Sequence, residues 1–309
     1  MLIDALVLLA LGTLAVLLPL SRGYRTHLAR RLAVTAGAQV PPSLTAALEA
    51  RLTRRARAVG VGILLAGAVL GVAALLWPPD AEEPSGGYVL TSLVFVSGAA
   101  ALAVVEIARP GDVEGERTAR ATAPTVGDYV APETRVLSWT FAGIGFGVLL
   151  LALALGRSVW FAPGPLWRSP VPVLAVALPV LVLLSELAIR RVLDAPQPAR
   201  DEAELFWQDA VRANTLTSLT VPPALVGLLA LVVTGAVLDD AASAAAVTNG
   251  EVGPEWSLWL LIGGYALPFM LLVVALLVAA RRGGSPDERF RERLWGGRAV
   301  GGTAAPAGA

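Results

Sequence analysis

The stretch 174–198 reads LAVALPVLVLLSELAIRRVLDAPQP. An apolar run of membrane length leads to Glu186, then to Arg190 and Arg191, and stops at a proline break. The order recurs at 102–112, LAVVEIARPGD, where Glu106 closes an apolar run and Arg109 follows. A third run ends in Arg281 and Arg282 without the glutamate. A repeated stop of this kind predicts a membrane protein built from tandem helical hairpins.

Working outward, seven apolar runs emerge: 2–20, 58–77, 88–108, 136–156, 171–189, 216–238 and 257–280. Each is about as long as the roughly 20 residues a helix needs to cross a bilayer. Hydrophobic residues make up 56% of the 309 positions and charged ones 16%, well below the roughly 25% charged of soluble chains. The expectation is an all-α, polytopic bundle of seven transmembrane helices in a single domain, residues 1–295. One leading helix precedes three hairpins, and a disordered tail covers 296–309. The first run lacks a basic residue before it and a small-residue cleavage site after it, so it reads as an uncleaved helix rather than a signal peptide.

All 24 basic residues are arginine. Of these, only Arg157 and Arg168 fall in the turns of one side; the other 22 lie at 22–57, 109–135, 190–212 and after 280. The positive-inside rule then places the N-terminus outside and the C-terminus inside. Tryptophans agree, with Trp77, Trp160, Trp167, Trp256 and Trp259 at the outer interface and Trp139, Trp207 and Trp295 at the inner one. The eight arginines between 22 and 57 read as a topology anchor that can also hold anionic headgroups. Ser43 is the expected cap of a helix running into the second span, and Pro198–Ala213 reads as an amphipathic helix that either lies in the interface or extends the sixth span.

Absent residue types exclude much chemistry. Without lysine there is no Walker phosphate loop and no retinal Schiff base. Without cysteine, and with His27 the sole histidine, thiol nucleophiles, cysteine zinc sites and multi-histidine metal or haem sites are excluded. A net charge of zero gives no field for nucleic acid. No catalytic constellation is present, and neither a cofactor nor a metal is expected; the acidic groups Asp80/Glu82/Glu83 and Asp239/Asp240 read as solvated turns.

Two constellations remain. Glu106 and Glu186 are acids within apolar runs, which by default suggests an ion or proton site. Each sits about a turn from the inner end with an arginine at helical reach, so ion pairs Glu106–Arg109 and Glu186–Arg190 at the membrane edge are the favoured reading. Thr217 and Thr220 precede Pro222 and Pro223, which can break the sixth helix and leave carbonyls free, as in transporter substrate sites. An ordinary proline kink is the simpler alternative. Gly67/Gly71 and Gly143/Gly147 have the spacing of close helix contacts. Arg57, Arg135 and Arg212 open ascending helices 78 and 77 residues apart, and Glu106 and Glu186 close descending ones 80 apart, which suggests an internal repeat.

The segments SELAIRRVLDAPQPARDEAELFWQDAVRANTL and RPGDVEGERTARATAPTVGDYVAPETR resemble loops of uncharacterised polytopic membrane proteins of high-GC Gram-positive (actinobacterial) bacteria. The resemblance implies a bacterial plasma membrane and brings no activity. The functional expectation is a non-enzymatic permease-type or scaffolding subunit, with the lipid bilayer and an ATPase-type chain as partners. The alternative is a self-contained secondary transporter using Thr217, Thr220, Pro222 and Pro223.

Overall fold

The computed structural model describes residues 2–76, 88–108, 124–197, 199, 201–250, 255–280, 289–298 and 300. Among these, every extended element is helical: α1 (Leu2–Leu17), α2 (Arg22–Ala36), α3 (Pro42–Leu76), α4 (Tyr88–Ile107), α5 (Val126–Tyr129), α6 (Pro132–Leu155), α7 (Pro163–Arg168), α8 (Val171–Asp194), α9 (Glu202–Asn249), α10 (Glu255–Ala280) and α11 (Arg289–Trp295). Six helical segments are long and apolar enough to cross a membrane: Leu2–Leu20, Pro42–Leu76, Val89–Ile107, Pro132–Leu155, Val171–Asp194 and Glu202–Thr248. The seventh expected run falls on α10, whose described apolar stretch, Ile262–Leu271, is shorter than a span.

The outward faces are compatible with a lipid-solvated bundle. Leu65, Val69, Val176, Leu183 and Phe269 are each at least 60% exposed, and apolar surface on this scale is not left facing water by a soluble monomer. The helices divide into a centre and a ring. In five of the six candidate spans only 28–33% of the apolar window is buried; in α9 it is 61%. α9 is therefore the axis, with α4, α6, α8 and α10 packed around it and α1 and α3 forming an outer layer.

Two helices are longer than the sequence runs suggested. α3 joins the basic segment to the second span as one 35-residue helix, starting at Pro42 rather than capped by Ser43. α9 has 48 residues, about 72 Å at 1.5 Å per residue, against a hydrocarbon core of about 30 Å. It takes in the amphipathic segment at one end, so that segment extends the span. At the other end it takes in Asp239 and Asp240, expected in a turn. Asp201 caps it, its side chain accepting from the Glu204 N–H at 2.7 Å. Pro222 and Pro223 lie inside this helix without interrupting it.

Glycines set the closest approaches. A Cβ at Gly12 or Gly60 would come within 2.8 Å of the facing helix in the α1–α3 seam, and one at Gly67 within 2.9 Å of Leu8. Gly71 makes only an ordinary contact. In α6 the expectation of Gly143 and Gly147 is corrected: both face open space, and Gly145 between them meets Gly227 of α9, where a Cβ would lie 2.5 Å from the Gly227 carbonyl.

Candidate functional site at the arginine-rich end

At the arginine-rich end the helices carry an ordered cap. α2 ends at Gly37, whose φ of 65° closes the helix in the left-handed region. α11 returns to this point: Arg291 donates to the Ala36 carbonyl, and Arg289 to the Gly127 carbonyl of α5. Its rings dock as well, with Phe290 and Trp295 each 5.4 Å from Phe206 of α9, centroid to centroid. Trp207 and Trp295 are 3% and 7% exposed. They belong to this core rather than to an interfacial belt; Trp139, 48% exposed, keeps the interfacial character.

The cap is centred on a carboxylate not singled out in the sequence. Asp209, fully buried, accepts from the Tyr129 hydroxyl at 3.0 Å, from the Gln197 amide at 3.1 Å and from the Trp295 indole N–H at 3.0 Å. One residue thus ties α5, the 195–197 segment and α11 to the axial helix. Arg212, one turn on, is also buried and donates to the Ala195 carbonyl. Burial, followed by the field of the Asp209 carboxylate, pushes the Tyr129 phenol well above its ordinary value. It remains a neutral donor throughout the physiological range. The sequence signal for Asp209 was present but ambiguous: an acid among Trp207, Ala210 and Val211 also fits the rim of an amphipathic helix.

Glu106 and Glu186 both pair, but across helices. Glu106 meets Arg55 of α3 at 3.2 Å, with side chains 3% and 9% exposed. Glu186 meets Arg135 of α6 at 2.9 Å, with side chains 19% and 39% exposed. The expected local partners are replaced: Arg190 is exposed to the surroundings, and Arg109 lies outside the described residues. Both bridges join residues 51 apart in sequence, and the second lies 80 positions after the first. The internal repeat therefore has a physical counterpart, a guanidinium on the ascending helix of a hairpin locking a carboxylate on the descending one. Eighty positions further on stand Thr215 and Ala266, so the third hairpin lacks both charges.

Beside the first bridge, α3, α4 and α9 enclose a pocket of about 580 Å³. Arg51, Arg54, Arg55, Glu106, Glu204 and Trp207 supply its polar and aromatic lining, over an apolar floor that includes Leu48 and Val211. Glu106 Oε2 and Trp207 Nε1 are buried there without a hydrogen-bond partner among the described residues. An acceptor and a donor are thus left open in one recess. The arrangement can bind a polar group through complementary charges and hydrogen bonds.

The candidate site around Thr217, Thr220, Pro222 and Pro223 is differently built. The Thr220 hydroxyl donates to the Leu216 carbonyl at 2.8 Å, as Thr215 does to Val211 and Ser218 to Asn214. Ser138 from α6 donates to the Thr220 carbonyl. Thr220 and Pro223 line a space of about 20 Å³ together with Glu186; Thr217 and Pro222 do not reach it. That volume holds about one water. Among the described residues, no group of three or more His, Asp or Glu side chains is placed to hold a metal ion.

Fold and site together define the class: an all-helical, multi-pass bundle, compatible with an integral membrane protein, whose polar architecture is concentrated at one end. Comparison with known protein families, with curated proteins and with solved structures gives no match.

Proposed function

We propose that this chain is a multi-pass protein of a bacterial plasma membrane, with its arginine-rich end in the cytoplasm. There it serves as a non-enzymatic permease-type or scaffolding subunit of a larger assembly, and the energy source is an ATPase-type partner chain. One observation carries the reading: the open volume is about 580 Å³ at the arginine-rich end and about 20 Å³ beside Thr220. A subunit that works by docking needs relief on its water-facing end, whereas a self-contained carrier needs a chamber near mid-depth. The arginine asymmetry supports the orientation, and the loop resemblance supports the bacterial setting.

Affinity purification in mild detergent followed by mass spectrometry tests the proposal. An ATPase-class chain should co-purify and should be lost when the pocket rim is reversed by Arg51→Glu. A protein that elutes alone in every detergent counts against it. The transporter alternative requires α9 to open at Pro222 and Pro223. Its sign would be a solute whose uptake disappears in Thr217→Ala, Thr220→Val or Pro222→Ala variants at an unchanged folded level.

A further inference from the structure

We propose that the recess between α2 and the third to fifth turns of α3 binds a phosphate group, and that its occupant is the headgroup of an anionic phospholipid from the surrounding leaflet. The recess, of about 380 Å³, is lined by Arg25 of α2 and by Ala50, Thr53, Arg54 and Arg57 of α3. It borders the 580 Å³ pocket, sharing Ala50 and Arg54 with it, but its charge is different. Three guanidinium groups converge and no lining residue carries a carboxylate. Arg55, on the same turn of α3, is already held by Glu106. Arg25, Arg54 and Arg57 have no acid partner among the described residues.

Thr53 is the independent sign of a ligand. It is 8% exposed, and its hydroxyl has no hydrogen-bond partner among the described residues. The helix offers such hydroxyls an easy solution, taken by Thr45, Thr215 and Thr220, which donate to the carbonyl four positions back. Thr53 does not take it. The Nε–H groups of Arg25 and Arg57 are likewise buried and unpartnered. Buried donors left open are costly, and an anion with several acceptor oxygens satisfies them together. Guanidinium forks match phosphate oxygens in geometry as well as in charge.

The lipid source is read from what lies beneath. Arg54, Arg57, Val61 and Leu65 follow one another at three- and four-residue spacing, so they form one stripe of α3. Val61 is 45% exposed and Leu65 63%, and Val69 and Val72 continue the apolar face at 70% and 56%. A phosphate held at the top of that stripe has its acyl chains laid along the bottom. A basic cluster at headgroup depth gains roughly fivefold in binding per arginine from an anionic leaflet.

Native mass spectrometry of the full chain released from phosphatidylglycerol/phosphatidylcholine nanodiscs provides the test. One phosphatidylglycerol should stay bound preferentially over phosphatidylcholine. The double variant R54Q/R57Q should lose that retention about 30-fold, and Thr53→Val, which keeps every charge, about tenfold. R30Q/R31Q, which removes the same charge from exposed positions outside the recess, should change it less than twofold. Equal losses in the two double variants overturn the site, as does full retention in both R54Q/R57Q and Thr53→Val. If the first double variant does not fold, Thr53→Val alone decides between the same outcomes. If inorganic phosphate displaces bound lipid and protects the protein equally well without any lipid preference, the site is one for soluble phosphate and the lipid assignment fails.

Discussion

Glu106 and Glu186 occupy equivalent places in two hairpins, yet their surroundings give them unequal weight. Removing Glu106 breaks an ion pair whose guanidinium is only 9% exposed, and breaking a buried pair typically costs about 3–5 kcal/mol. Removing Glu186 frees an arginine that is 39% exposed, where water screens the loss to about 1 kcal/mol or less. Thermal unfolding in detergent should therefore rank Glu106→Ala well below Glu186→Ala; equal melting temperatures would refute the assignment. Tyr129 makes a second residue-level prediction. Its raised pKa means that the folded state holds the phenolic proton after the unfolded chain has released it. The stability it contributes is present in full below about pH 10, the ordinary tyrosine value, and is lost as pH rises beyond it. In an ultraviolet titration the Tyr129 phenol should resist ionisation until the fold is lost. Tyr129→Phe should remove that late step. What the sequence could tell at this scale was that the glutamates would find arginines. It could not tell which ones, because partners on another helix are as near in space as those one turn away.

Helix contacts show the same division between pattern and partner. The run Gly143-Ile-Gly145-Phe-Gly147 announces that α6 is approached closely, and three glycines fit the spacing rules equally well. Only the packing of α9 decides that Gly145, opposite Gly227, is the one used. Gly145→Ala should then cost about 1–3 kcal/mol, since the backbones must part, whereas Gly143→Ala should be neutral or stabilise by up to about 1 kcal/mol through helix propensity. Parallel unfolding curves for the two variants distinguish them, and a larger loss at position 143 would contradict the contact. α3 and α9 exceed their apolar runs for a related reason. Apolar runs mark only the most hydrophobic part of a helix, while α3 and α9 continue beyond them on segments that mix charged, small and apolar residues. At the Thr/Pro segment α9 runs on through Pro222 and Pro223, and the hydroxyls of Ser218 and Thr220 return to the carbonyls of Asn214 and Leu216.

For the molecule as a whole, the concentration of arginine, buried polar groups and open pockets at one end makes sidedness the property most open to direct test. The chain has no cysteine, so single thiols can be placed at will. Ala46→Cys, exposed at the start of α3, and Val247→Cys, 86% exposed near the far end of α9, should be labelled from opposite sides of intact cells by a membrane-impermeant reagent. Labelling of both from outside would dismantle the bundle's orientation and the cytoplasmic reading of the pockets. The all-helical bundle was legible from apolar runs and arginine asymmetry alone. The cap was not, because its centre is an aspartate whose donors come from stretches as far apart as Tyr129 and Trp295.

That distance in sequence sets a timetable. A polypeptide made from its N-terminus presents Asp209 before Trp295 has left the ribosome, so the carboxylate waits for its indole donor until residue 295 has emerged. α11 then works as a latch: chains ending after Glu288 should stay open to protease at the cap, while chains that include α11 close it and resist.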